Sequence, residues 1–409
     1  MDLGFAPRRR TARVKGGSSY VSTRFTVLVA MSPNAQRRSL AIFAVMIAVA
    51  PLTACDPRPE AGFLSPVAES ATGAADHTLL VATTRERDER PGTLFNGDRA
   101  SALDYATVTV SIPRSHVPGK IEWSNTPPGD PNANFVVRDE AYLDGDKAFV
   151  QALNAQLAIH PRGSRKVLVF IHGYNTLFAE GLYRFAQIVH DSKGPAVPVL
   201  FTWASSGKLK DYLYDTNSAT AARDDLEHTL RLVLASDADQ VNILAHSMGN
   251  WVTVEALRQI KISSDLKHAD KVGYVFLAAP DIDIDVFKSQ MRRFGKPKRP
   301  FYIILSQDDK ALGLSKFIAG GDGRVGADAN IGELAELGAT VIDLTDVKGD
   351  DSSNHGKFAQ LAEVAPELRA VLARGISAKP DEINAGALGG LAILPATMLG
   401  NAVKIVPGQ

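Results

Sequence analysis

The sequence predicts an α/β protein with a mostly parallel central sheet and helices on both faces. Strand-like runs alternate with helical patterns from Thr78 onward, the order that builds such sheets. The run Lys166–Ile171 is apolar without alternation, as a strand buried on both faces is. A chain of 409 residues with 45% hydrophobic side chains can also close one large core.

The elements follow in order. Residues 78–84 and 105–112 are β-rich and flank a charged, turn-rich stretch at 85–99, and Pro113, Pro118, Pro127, Pro128 and Pro131 then mark an irregular region. The pattern predicts a helix over 148–158, the strand Lys166–Ile171, a helix over 179–190 and a strand over 197–203. Residues 219–235 read as one amphipathic helix, with Leu226, Leu230 and Val233 on a single stripe. A strand over 241–245, a helix over 251–260 and the strand Val272–Ala278 continue the alternation. A helix over 286–294, the strand Phe301–Leu305, a short strand over 341–344 and a helix over 357–374 close it.

The N-terminus reads as an address rather than as fold. Arg37 and Arg38 precede an uncharged run over 40–51, too short to span a bilayer, and small residues lead to Cys55. Leu52-Thr53-Ala54-Cys55 resembles the bacterial lipobox, which implies cleavage before Cys55 and lipidation of that cysteine. Met31 opens a leader of ordinary length and is a possible true start. The expected organisation is a leader over 1–54, a flexible tether over 55–76, a folded domain over 77–375 and a flexible tail over 376–409. The expected location is the bacterial cell envelope, with a lipid anchor to the membrane.

Charge sharpens once the leader is set aside. The whole chain carries 45 basic and 45 acidic residues, but residues 1–54 hold eight of the basic ones and a single Asp. The remainder is therefore net acidic, with no electrostatic case for a nucleic-acid partner. One cysteine excludes a disulfide framework and multi-cysteine zinc sites, and no metal or cofactor is called for.

The strongest local signal is Ala245-His246-Ser247-Met248-Gly249 between an expected strand and an expected helix. It is the G-x-S-x-G nucleophile elbow with Ala in the first Gly position. Small flanking residues let the turn tighten, lift the Ser247 hydroxyl above the sheet and aim the Met248 N–H at a reacting oxyanion. Phe170-Ile171-His172-Gly173-Tyr174-Asn175 ends another strand, where Tyr174 is the expected second oxyanion donor, each donor contributing about 3 kcal/mol. His172 is expected to orient that loop and His246 to pack. Chain order Ser, acid, His selects His355 as the base, since His268 lies before a strand at the wrong edge. The acid is Asp309 or Asp308, with Asp309 preferred. Asp281 and Asp283 are expected to cap the following helix or to line the cleft.

These pieces resemble a bacterial α/β-hydrolase family of unknown function, esterase- or lipase-like. The matching segments include residues 81–87, 110–113 with His116 and Gly119, 170–175, 201–205 with Tyr212 and Asp215, 245–250, 277–283 and 306–312. The resemblance implies the α/β-hydrolase fold over about residues 78–374. Its aspartate before Lys-Ala-Leu falls on Asp309. The expected activity is ester cleavage on a small-molecule substrate by Ser247, His355 and Asp309, with amide or thioester cleavage or a silent binding role as alternatives.

Overall fold

A computed structural model of the chain describes residues 58–263, 268–295, 299, 301–320, 323–349, 351–360 and 403–408. Ten strands form one sheet among them: β1 (Ala75–Arg87), β2 (Phe95–Ile112), β3 (Val136–Leu143), β4 (Lys166–Ile171) and β5 (Val197–Thr202), then β6 (Gln240–His246), β7 (Val272–Ala278), β8 (Phe301–Leu305), β9 (Thr340–Asp343) and β10 (Lys404–Val406). Their spatial order is β10-β9-β8-β7-β6-β4-β5-β1-β2-β3. From β9 across to β1 all neighbours run parallel, while β2 and β3 at one edge and β10 at the other are antiparallel.

Helices cover both faces: α1 (Gly145–Leu157), α2 (Phe178–Ser192), α3 (Tyr212–Ala221), α4 (Arg223–Ala235), α5 (Gly249–Ser263) and α6 (Ile284–Phe294), followed by α7 (Lys310–Ala319), α8 (Val325–Asp328) and α9 (Ile331–Glu336). The sheet explains the unalternating apolar runs. Along β4, Val167, Val169 and Ile171 pack into one core cluster with α1, α4 and α5. Leu168 and Phe170, on the opposite face, pack into another with α2. A strand with core on both sides has no polar face to show.

Several expectations change. The segment over 58–76, read as tether, is docked: Phe63 and Leu64 are buried, and Leu64 and Val67 donate backbone hydrogen bonds to Gly92 and Val137. Arg58 pairs with Glu180, and Arg138 and Tyr183 donate to backbone carbonyls of this Pro- and Ala-rich stretch. The charged stretch 85–99 mostly extends β1 and β2, because bulges in that hairpin let Arg85 turn inward to buried acceptors. Strand β3 forms where no element was expected. The helix over 219–235 is two helices, α3 and α4, and α7 to α9 lie where no element was assigned. Lys404–Val406 pair with β9, so this part of the expected tail is an edge strand. Of the helix expected over 357–374, the described part Lys357–Gln360 is 3₁₀. Residues 1–57, including the leader and Cys55, lie outside the described residues.

Candidate active site

Ser247 sits just past the C-terminal end of β6, one of the central strands, where ligand sites of parallel sheets gather. Its backbone is in the left-handed region at φ 53°, a strained conformation for a residue with a side chain. The strain is held from several sides. The Ser247 N–H donates to Ala278 O at 3.0 Å, and its carbonyl accepts from Asn250 Nδ2 at 2.8 Å and Asp281 N at 3.3 Å. The flanking glycines are demanded by space. A Cβ on Gly249 would overlap the His172 and Ile171 carbonyl oxygens, and one on Gly173 would lie 2.7 Å from Ser247 Cβ. Among the described residues the Ser247 hydroxyl makes no hydrogen bond; it opens onto a cavity of about 490 Å³.

His355 lines the same cavity, and its Nδ1 is 2.7 Å from Asp309 Oδ2. Asp309 has a fully buried side chain, and its second oxygen accepts from Leu312 N at 3.0 Å, capping α7. Asp308, the alternative, faces elsewhere, toward Lys357 Nζ at 2.7 Å and Asn354 Nδ2 at 2.9 Å. The His355 loop is built from polar contacts. Asp351 Oδ1 accepts from Ser353 N and His355 N, and its Oδ2 from Gly356 N at 2.8 Å. Lys357, nearly fully buried, holds the end of the loop through Ser306, Asp308 and the carbonyls of Leu344 and Thr345. His246 packs, as expected, with its ring stacked on Phe358 and 4.7 Å from that of His355.

Tyr174 also lines the cavity, and Met248 is buried at the start of α5. Among the described residues the backbone N–H groups of Tyr174 and Met248 have no hydrogen-bond acceptor. The loop that carries Tyr174 rests on His172. Arg85 can only donate, and it stands 3.3 Å from His172 Nε2 with Thr202 Oγ1 at 2.8 Å, so that nitrogen accepts and Nδ1–H donates to Gly173 O at 2.8 Å. Burial, together with the Arg85 charge, pushes the His172 pKa down to about 3, which keeps the ring neutral. Asp215 braces the other side of the loop, accepting from Asn175 N, Ser205 Oγ and Ser206 N. Asp283 caps α6, whereas Asp281 lines the cavity.

Residues 147–374 match the family described as Alpha/beta hydrolase of unknown function (DUF900). The chain belongs to this family. No curated protein matches it. Among solved structures it is similar to the crystal structure of Aspergillus fumigatus lipase B, with 14% identity over 41% of this chain and a TM-score of 0.27. The similarity covers 43% of the lipase, so this chain spans less than half of it. In this α/β hydrolase the cavity wall holds Tyr212, one of the residues that carry the family resemblance, and others that motif reading passed over: Leu209, Leu314, Ser315 and Ile318. No local signature marks them, because they come from a helical region whose apolar residues point outward as well as inward.

Proposed function

We propose that the chain is a serine hydrolase that cleaves carboxylic esters by an acyl-enzyme route. The observation that carries this reading is the 2.7 Å hydrogen bond between His355 Nδ1 and the buried Asp309, in the cavity onto which the Ser247 hydroxyl opens. Asp309 would hold the proton on Nδ1, leaving Nε2 to take the proton of Ser247 as its oxygen attacks the ester carbonyl. The amides of Met248 and Tyr174 would receive the oxyanion, and their lack of any other acceptor among the described residues supports that role. Collapse of the tetrahedral intermediate expels the alcohol, which takes the proton from His355. A water then attacks the acyl group, with His355 as base, and Ser247 is regenerated. The short apolar wall of Leu209, Leu312, Leu314 and Ile318 suits the hydrocarbon part of an ester.

The test is covalent labelling by a fluorophosphonate together with turnover of p-nitrophenyl esters. Native wild type should label and turn over, while Ser247→Ala and heat-denatured wild type should do neither. A well-folded wild type that neither labels nor hydrolyses would leave a silent hydrolase fold as the reading. We further propose that Cys55 carries lipid and tethers the enzyme in the bacterial cell envelope, supported by the residues before it. Among the described residues no helix is long and apolar enough to cross a membrane. Cys55→Ser should shift the protein from the detergent phase to the aqueous phase; an unchanged partition would sink the anchor.

A further inference from the structure

We propose that Asp281 is a specificity residue that selects esters bearing a free hydroxyl on the part of the substrate seated beside Ser247; this rests on the ester-hydrolase reading above. Asp281 leaves β7 next to the elbow, its N–H donating to the Ser247 carbonyl, and its carboxylate is 3% exposed while lining the catalytic cavity.

The two carboxylate oxygens are supplied unequally. Oδ1 accepts from Ser315 Oγ at 2.6 Å and faces Arg324 Nε at 3.3 Å. The Ser315 proton is thereby committed, so the hydroxyl of Tyr212, 2.8 Å from Ser315 Oγ, donates to Ser315. Tyr212 lies 3.4 Å from Oδ2, beyond the ordinary reach of an O–H···O bond, which leaves Oδ2 short of a donor. An ionised carboxylate has about four acceptor sites and is costly to leave undersupplied out of water.

Charge decides which donor the site takes. Arg324, itself buried, already neutralises Asp281, and the Lys310 side chain adds positive charge on the cavity wall. A substrate ammonium would therefore enter a pocket with no net negative charge, and a substrate anion would meet the carboxylate. A hydroxyl supplies the missing donor without burying a charge. The apolar residues around it, Leu209, Leu312, Leu314 and Ile318, fit the rest of a mostly hydrocarbon substrate.

The experiment compares kcat/KM for chain-matched p-nitrophenyl esters: unsubstituted, hydroxylated at successive acyl positions, and aminated at the same positions. Wild type should prefer the best hydroxy ester over its unsubstituted match by about ten- to hundredfold, the range for a hydrogen bond to a charged group. Asp281→Asn should cut that ratio at least fivefold, mainly through KM; any loss common to both esters cancels in the ratio. Arg324→Gln, which unmasks the carboxylate, should move the preference toward the amino ester, and it keeps the proposal exposed if Asp281→Asn does not fold. Equal efficiency on all hydroxylated and unsubstituted esters, or a ratio untouched in Asp281→Asn, would overturn the proposal while leaving ester hydrolysis intact. If wild type hydrolyses none of them and Ser247 is not labelled, the ester reading fails and this inference falls with it.

Discussion

The proposed nucleophile and the proposed base are held by different physics. Ser247 is fixed by backbone hydrogen bonds and by steric contacts near the centre of the sheet, where Gly173 and Gly249 leave no room for a methyl group. His355 sits on a loop past β9, held by side chains: Asp351 beneath the turn, Asn354 against Asp308, and buried Lys357 at its end. A steric turn has one geometry that fits. A polar loop has a geometry that each hydrogen bond only biases. Damage to the first should change where the serine is, and damage to the second should change how often the base is in place.

The sharpest separation is between the adjacent acids. Asp309→Asn should lower kcat by about 10⁴-fold, because an amide no longer fixes the imidazole tautomer or stabilises its cation. Asp308→Asn weakens contacts with Lys357, Asn354 and Ser306 and touches no contact of His355, and should lower kcat about tenfold or less. Equal losses would mean that both acids act through the loop and that the contact with His355 is incidental. Esterase assays on folded variants, checked by circular dichroism, measure this.

On the elbow side, Gly173→Ala places a Cβ 2.7 Å from Ser247 Cβ and 3.1 Å from His246 Nδ1. The displaced serine should cost about 100-fold in kcat/KM, the usual scale for a misplacement of 1 Å. Fluorophosphonate labelling should slow in parallel, since the nucleophile itself has moved. On the loop side, Lys357→Met keeps a similar shape but removes the donor to Ser306, Asp308 and the carbonyls of Leu344 and Thr345. It should reduce kcat about tenfold with little change in KM, and it should broaden the His355 imidazole resonances in NMR. If Gly173→Ala were silent and Lys357→Met abolished labelling, the contrast between the two regions would be wrong.

The same contrast explains what could be read from the sequence. Strands such as Lys166–Ile171, Val272–Ala278 and Phe301–Leu305 stand with the predicted bounds, because double-sided burial leaves unbroken apolar runs. The elbow was legible because its turn admits only small neighbours, a demand written directly in residue types. Lys357 was not, since a lysine two residues after a histidine carries no local sign of burial. Helix α7 leaves Leu314, Phe317 and Ile318 exposed, so its apolar positions do not define one stripe. Strand β3 is an outer edge that carries Arg138, Asp139 and Glu140 in a row, so no alternation marks it as a strand. Docking of residues 58–76 rests largely on backbone groups bonded to distant partners such as Arg138, Tyr183, Gly92 and Val137, which leave no local mark in a Pro- and Ala-rich background.

Acid should dismantle the two regions in sequence, elbow side first. His172, beneath the loop that carries Tyr174, has its pKa pushed to about 3 by burial and by Arg85, from an unfolded value of 6.5. Between those values the unfolded chain holds a proton that the folded chain lacks, so unfolding free energy falls as pH falls through that window. The contribution at pH 5 is about 2 kcal/mol, or a Tm lowered by about 3 °C relative to neutral pH. His246, lowered by burial and by its neighbour His355, acts with the same sign. On the loop side, burial raises the pKa of Asp351, but hydrogen bonds from Ser353 and the backbone outweigh it and the net shift is downward. The stability from that carboxylate is present above its unfolded value of 3.8 and is lost only as pH falls below it. Thermal melts from pH 7.5 to 4.5 should therefore show a smaller acid-induced drop in His172→Gln than in wild type, while Asp351→Asn lowers Tm by the same amount throughout. If His172→Gln kept the full wild-type drop, the neutral imidazole would not be what acid attacks first.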